Sequence, residues 1–357
     1  MKIVQIMTVM EAGGMQRVAY LLSEALKERG HETGLWFLYK KRPAYDHVPE
    51  AKSFLGHKPG ASDVIPLLLN LRREMSATKP DVVISHTYYA NVLGQLAAMM
   101  SGVASRIAVH HNPAESFPAV ARLVDKVCGT LPVYGTNVAV SDAVVTSMDD
   151  YPKMYRGKLR RIYNGIPFPS KKVQSAATRI RFGLPADRPL LLNVGRLADQ
   201  KNQIALFPLL AELPEAHLAL VGDGELRFEL QEKAKSLGIA DRTHFLGEIP
   251  NEQVHEVMAS ADLFLFPSNY EAMPIVLLEA MSLGLPIVAS DIPGNREVLG
   301  SAGVIADFGS PECVSGVRAI LADAQSSANL GSKARARASD FQLETMVSGY
   351  ERLFANT

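Results

Sequence analysis

Ala261-Asp262-Leu263-Phe264-Leu265-Phe266-Pro267-Ser268-Asn269-Tyr270-Glu271-Ala272-Met273-Pro274-Ile275-Val276-Leu277-Leu278-Glu279-Ala280-Met281 reads as a buried strand, a short loop and a helix. Four consecutive apolar residues, Leu263 to Phe266, suit a strand covered on both faces. The helix is predicted to begin at Pro274, because proline fits the first helical turn where its missing N–H is not needed. Gly284 and Pro286 end it. Glu271 then falls in the loop, and Glu279 between one and two turns into the helix. A carboxylate on an apolar helix face is costly unless it is paired or hydrogen-bonded. Sugar or ribose hydroxyls would provide such bonds.

The same alternation runs outward on both sides. Strands are predicted at Lys2–Thr8, Thr33–Leu38, Asp81–Ser85, Arg106–Val109 and Asn137–Val140, with helices at Met15–Glu28, Ser62–Ala77 and Tyr89–Ser101. Further on, strands are predicted at Leu190–Val194, His217–Val221, Thr243–Leu246 and Pro286–Ala289, with helices at Asn202–Leu213, Leu226–Leu237, Asn251–Ala259 and Pro274–Leu283. Short apolar strands separated by helices imply α/β parallel sheets. Prolines and a polar shift mark a linker at Ile166–Lys172. Each half opens with a strand, a glycine-bearing turn and a helix. We therefore expect two Rossmann-like, doubly wound domains facing each other, residues 1–168 and 169–338, followed by a helix over 339–357. In that helix Phe341, Met346, Tyr350, Leu353 and Phe354 form an apolar stripe that packs on a domain. Ligands of such sheets bind outside the carboxyl ends of the strands, here in an interdomain cleft.

Bulk composition narrows the class. The chain has 357 residues, 47% hydrophobic and 21% charged, as in a globular protein of two domains. Cys128 and Cys313 offer neither a disulfide framework nor a metal cluster and suit a reducing, cytoplasmic compartment. The start lacks the features of a signal peptide, and the most apolar window, Val92–Val103, is too short to span a bilayer. Residues 1–165 carry 20 Lys and Arg against 14 Asp and Glu, whereas the rest carry 17 against 23. That basic half reads either as solvated faces and loops or as a surface for anionic lipid headgroups or an anionic acceptor. Nucleic acid is not expected, because no aromatic and basic interleaving is present.

Four constellations carry chemistry. After the first strand, Gly13-Gly14 lets backbone approach a ligand, and the helix that follows aims free N–H groups at an anion; a tight turn without a ligand is the plainer reading. In Gly195-Arg196-Leu197-Ala198-Asp199-Gln200-Lys201-Asn202, two cations at a strand end suit a diphosphate, against a reading as surface ion pairs. Gly222-Asp223-Gly224 lacks the third glycine of a dinucleotide fingerprint, the loop continuing Leu226-Arg227-Phe228-Glu229, so it reads as a turn at the ligand end of its strand. Leu246-Gly247 ends another strand, where backbone groups could read a base edge. His110-His111 follows a strand, and a sugar contact is favoured over zinc because no third ligand stands at a suitable spacing. No Asp-x-Asp triplet suggests a metal-held diphosphate, and no nucleophile elbow or Walker loop is present.

Gly13-Gly14, Gly195-Arg196…Lys201-Asn202, Gly222-Asp223-Gly224 and above all Glu271…Glu279 together resemble the retaining glycosyltransferases of family 4, which have the GT-B fold. The resemblance covers nearly the whole chain and points to bacterial enzymes that build exopolysaccharide, capsule or O-antigen. It implies that Arg196 and Lys201 hold the donor diphosphate, Glu279 the ribose hydroxyls and Glu271 a hydroxyl of the transferred sugar. Backbone N–H groups of Gly14, Ala272, Met273 and Ile275 would line phosphates and sugar, with Gly13 and Gly222 also at the donor. Leu246 and Gly247 would lie by the base. His111, or its neighbour His110, would contact the donor sugar near the reacting centre. The terminal helix would return to the first domain. Two positions depart from the pattern: Ala272 stands where many members have glycine, and Gln16 where many have glutamate.

The expected reaction moves a hexose from a nucleotide diphosphate sugar, UDP foremost, to a hydroxyl of a glycan or lipid-linked acceptor, with retention. No cofactor or metal is expected, the nucleotide sugar being a substrate. Partners are the donor, the acceptor and a peripheral contact with an anionic membrane on the cytoplasmic face. Acceptor choice is expected to lie in the loops Tyr39–Gly60 and Asn112–Val120. The rivals are a nucleotide-sugar epimerase of the same fold and an inert sugar-nucleotide-binding protein.

Overall fold

Covered, apolar strands build two parallel sheets in a computed structural model that describes residues 1–168 and 175–354. The chain divides into two units, Met1–Pro167 with Phe341–Thr357, and Phe168–Asp340. Of the linker expected at Ile166–Lys172, residues 169 onward lie outside the described residues.

The first unit holds β1 (Lys2–Met10), β2 (Glu32–Lys40), β3 (Ala51–Leu55), β4 (Val82–His86), β5 (Ser105–His110), β6 (Thr136–Ala139) and β7 (Leu159–Arg161). They pair in parallel in the order β3-β2-β1-β4-β5-β6-β7. The second unit holds β8 (Leu190–Val194), β9 (His217–Val221), β10 (Thr243–Gly247), β11 (Leu263–Phe266), β12 (Ile287–Ser290) and β13 (Val304–Ala306), in the order β10-β9-β8-β11-β12-β13. The winding direction reverses between β1 and β4 in one sheet and between β8 and β11 in the other, and such switch points open a crevice at the carboxyl ends of the strands. Both strands after the switch, β4 and β11, are buried along their whole length. That explains the apolar runs Val82–Ile84 and Leu263–Phe266, which show no alternation.

Several local expectations need correction. The stretch Tyr39–Gly60 is not all loop, because Ala51–Leu55 adds to β2 with Leu35 opposite Ala51 and Tyr39 opposite Leu55. An edge strand needs only one hydrogen-bonded neighbour and can be short and polar, so periodicity does not mark it. The Asn112–Val120 loop contains a 3-10 turn, Ala114–Ser116, and the start of a helix, Ala119–Thr130. The continuous helix expected over Asn202–Leu213 is interrupted. Asn202 takes a left-handed conformation, φ 49°, between 3-10 turns Asp199–Lys201 and Gln203–Ala205, and only Leu206–Ala211 is α-helical. Asparagine tolerates that conformation, and its Nδ2 donates to the Pro267 carbonyl at 3.3 Å. Pro274 caps its helix from outside: ψ is 116°, and the helix runs Ile275–Ser282.

The terminal helix, Leu343–Phe354, buries Met346, Tyr350 and Phe354 in the first unit, with Phe341 buried just ahead of it. Arg29 pairs with Glu344 and Glu351, and His31 Nε2 lies 3.1 Å from Glu351.

Candidate functional site: the strand ends at the two switch points

In the second unit the switch point brings two loops together. The loop after β8 carries Gly195, Arg196 and Lys201, and the loop after β11 carries Glu271. The loops are sewn by backbone and amide bonds: Asn269 N donates to Gln200 O at 2.8 Å, Asn269 Nδ2 to Asp199 O at 2.8 Å and Gln200 Nε2 to Tyr270 O at 3.1 Å. The Lys201 ammonium donates to the Glu271 carboxylate, both side chains being largely covered. It also sits 5.2 Å from the centroid of the Phe266 ring. Its stem runs over Gly195, where a Cβ would lie 3.4 Å from it. The Lys201–Glu271 pair is neutral. Arg196 is exposed; its carbonyl accepts from Gln203 Nε2 at 3.0 Å, and its guanidinium has no hydrogen-bond or ion-pair partner among the described residues, so it is a free cation on this loop.

Glycines close the floor of the same edge. Gly222 has φ 125°, and a Cβ there would fall 2.2 Å from the Gly195 carbonyl oxygen. Its N–H donates to Gly247 O at 2.8 Å, which draws in the end of β10 with Leu246 and Gly247. A Cβ on Gly224 would meet Leu197 O at 2.3 Å. The Gly222-Asp223-Gly224 turn is thus required by close backbone approach, without any need for a dinucleotide fingerprint. Ala272, Met273 and Ile275 are buried behind Glu271 at the start of the helix. A Cβ on Gly294 would fall 2.3 Å from Glu271 O, which ties the helix Pro293–Leu299 to the same loop.

In the first unit, Gly13 caps and Gly14 opens the helix Gly14–Glu28 after β1, and the Gln16 amide donates to Val9 O at 3.1 Å. A Cβ on Gly13 would sit 2.5 Å from Gln16 Oε1, so that glutamine fills the space beside the turn. The doubled histidine divides its tasks, His110 closing β5 and His111 opening the loop after it. His110 is buried, 3.1 Å from the Tyr155 hydroxyl, which donates to Asp125 at 3.0 Å. His111 is partly exposed and lies 2.9 Å from Nδ1 of buried His86, whose Nε2 is 2.9 Å from Gln5 Oε1. Burial lowers the pKa of all three imidazoles, that of His86 to about 3, so they remain neutral near pH 7. His110 and His111 line a narrow pocket together with Thr87, Tyr88 and Asn112.

Residues 12–168 match the family described as Glycosyltransferase Family 4, and residues 174–337 the family described as Glycosyl transferases group 1. The D-inositol 3-phosphate glycosyltransferase of Xylanimonas cellulosilytica is 30% identical over 374 residues, covering 93% of this chain and 88% of its own. The chain belongs to the family 4, group 1 glycosyltransferases. The amylovoran biosynthesis glycosyltransferase AmsD of Erwinia amylovora is 27% identical across 95% of either chain. EpsF of Bacillus subtilis is 30% identical over 245 residues, a match spanning 63% of its length and so under two thirds of it. Among solved structures, Anabaena HepE in complex with UDP-glucose matches with a TM-score of 0.86 at 21% identity, over 100% of both chains. WaaG, a glycosyltransferase involved in lipopolysaccharide biosynthesis, matches at 0.76 and 17%, over 99% of this chain and 100% of its own. These likenesses identify the two sheets as those of the GT-B fold.

One residue of this glycosyltransferase escaped the sequence reading. His255, on the helix Asn251–Ser260, places Nε2 3.2 Å from Glu279 Oε1. The two are 24 positions apart on different helices, and a lone histidine on a polar helix gives no signal of its partner. Glu279 is thereby held in one orientation, with its other oxygen left to accept from a ligand. Glu279→Gln is expected to weaken UDP binding about tenfold in calorimetry, and His255→Ala by a smaller factor. Unchanged affinity in Glu279→Gln would show that this carboxylate does not contact the nucleotide.

Proposed function

We propose that this glycosyltransferase transfers a hexose from a UDP-sugar to a hydroxyl of a glycan or lipid-linked acceptor in cell-surface polysaccharide synthesis, with retention at the anomeric carbon and without a metal ion. The observation that carries the reading is the Arg196 guanidinium, unpartnered among the described residues, on the same loop after β8 as Lys201, whose ammonium pairs with Glu271 at the switch point of the second unit. As the glycosidic bond breaks, negative charge grows on the leaving diphosphate. A guanidinium can grip two phosphate oxygens and an ammonium can stabilise them as a point charge. Glu271, held by Lys201, then accepts a hydrogen bond from a hydroxyl of the sugar, while Glu279 accepts from the ribose. The leaving phosphate oxygen takes the acceptor proton, so attack comes from the face it leaves. Backbone N–H groups at Gly14, Ala272, Met273 and Ile275 and the His111 imidazole contribute polar contacts to the donor, and Leu246 and Gly247 flank the base.

AmsD is named for amylovoran biosynthesis, and HepE has been crystallised with UDP-glucose, which supports the choice of pathway and donor. Among the described residues no helix is long and apolar enough to cross a membrane, and attachment at the cytoplasmic face is proposed to be peripheral.

A single assay tests the reading. UDP-hexoses are screened by thermal shift, and the binder, which raises the melting point of the folded state, is incubated with acceptor glycans in excess EDTA. The expected product keeps the donor's anomeric configuration by NMR. Inversion would overturn retention, and activity lost in EDTA and restored by Mn²⁺ would overturn metal independence. Release of UDP with an epimerised free sugar and no acceptor would favour the epimerase.

A further inference from the structure

The helix Ala119–Thr130 in the first unit is inside out. A surface helix ordinarily turns its apolar stripe to the core and its polar face to water. Here the residues at helical spacing that face inward are Ala121, Asp125 and Gly129, all buried. The opposite face carries Val120, Leu123 and Val127, exposed 73%, 61% and 47%, and Leu131, at the same spacing beyond the helix end, is exposed 49%. Asp125 is committed inward, accepting from the hydroxyls of Tyr134 and Tyr155. That bond network fixes the helix's rotation: turning the apolar stripe inward would strand a carboxylate and two phenols. Gly129 adds to the lock, because a Cβ there would fall 2.1 Å from the Tyr155 ring.

Tyr155 belongs to a short helix, Lys153–Gly157, packed alongside, and its neighbour Met154 is exposed 65%. Cations accompany this apolar surface. Lys153 and Arg156 are exposed, and Arg122 and Lys126 are half-buried on the flank of the long helix. Residues 119–161 carry seven Lys and Arg against four Asp and Glu. Of the four acids, Asp125 is buried, Asp142 is paired with Arg161, Asp150 lies 3.2 Å from the Lys126 ammonium and Asp149 is exposed, which leaves a net charge of +3 over this stretch. A row of aliphatic side chains flanked by excess positive charge matches the acyl and headgroup boundary of an anionic bilayer.

We propose that the outward face of Ala119–Thr130, with Met154 beside it, docks this glycosyltransferase on anionic membrane lipid. The inference gives the peripheral membrane contact proposed above a specific surface. Charge complementarity selects the bilayer over a second copy of the chain, because two copies meeting through this face would bring their cations together.

The test uses the full chain and sedimentation with vesicles of phosphatidylglycerol and phosphatidylcholine in about equal parts, against pure phosphatidylcholine. Wild type is expected to bind the anionic vesicles, to lose binding as salt rises, and to bind phosphatidylcholine weakly. Leu123→Ser with Val127→Ser should weaken binding about tenfold or more, the scale set by several methylene groups leaving the acyl boundary. Lys153→Gln with Arg156→Gln should weaken binding to anionic vesicles alone. UDP affinity and melting temperature, measured on the same preparations, should match wild type in both variants, since all four residues are exposed. Equal binding by wild type and the serine variant would overturn the proposal. So would a wild type that binds UDP but no vesicles, or one that dimerises in light scattering through this face while ignoring lipid. Vesicle binding without UDP binding would sustain the docking surface and overturn the donor assignment instead.

Discussion

Arg196→Ala lowers turnover by about 10²–10³-fold and leaves the melting temperature unchanged. The magnitude is that of one electrostatic donor removed from a developing oxyanion, about 2.7–4 kcal/mol at the transition state. The second half of the expectation follows from exposure: the Arg196 guanidinium has no partner among the described residues, its carbonyl bond from Gln203 survives the substitution, and surface changes of that kind alter stability by less than about 0.5 kcal/mol. Lys201→Ala behaves differently. It removes the second cation of the proposed diphosphate site, and it also leaves the covered Glu271 carboxylate unpaired. We expect a comparable loss of turnover together with a lower melting temperature. Adding Glu271→Gln to Lys201→Ala should restore part of the stability and none of the activity, because residues in contact are not additive. Kinetics and calorimetry on the three proteins decide the matter. Near-normal turnover in both Arg196→Ala and Lys201→Ala would remove the diphosphate from this loop.

Gly222→Ala destabilises the second unit by about 3 kcal/mol, from left-handed strain and overpacking together. The new Cβ would lie 2.2 Å from a backbone oxygen, that of Gly195, rather than from the flexible end of a side chain. Relief therefore requires the loop after β8 to move, and Arg196 and Lys201 move with it. For a unit of this size we expect the melting transition to fall by about 10 °C, with weaker UDP binding in the surviving folded fraction. Gly316→Ala supplies the control. Gly316 lies within the helix Pro311–Ala322 with open space at its Cβ, so alanine there should be neutral or stabilise by up to about 1 kcal/mol. A Gly222→Ala protein that melts with wild type would show that the turn opens without cost.

Much of the fold was legible along the chain, for a definite reason. Strands β8, β9 and β11 coincide with their predicted ranges because a central parallel strand, covered on both faces, must be apolar throughout. The edge strand β3 and the broken helix after Asn202 were not legible. Their conformations are decided by one neighbouring strand and by one amide bond to Pro267, and neither leaves a period in the sequence.

The candidate site divides in the same way. Residue types alone placed cations after β8, carboxylates around the helix after β11 and histidines at the end of β5, the strand ends where ligands of parallel sheets bind. Only the tertiary structure decided which of them meet. Lys201 is bound to Glu271 from 70 positions away, His255 holds Glu279 from another helix, and His110 turns into the core while His111 does not. It also decided that the helix Ala119–Thr130 wears its apolar face outward, because Asp125 finds its two phenols only once the chain has folded around them. Local pattern records what each residue prefers, and long-range contact determines which preference is satisfied.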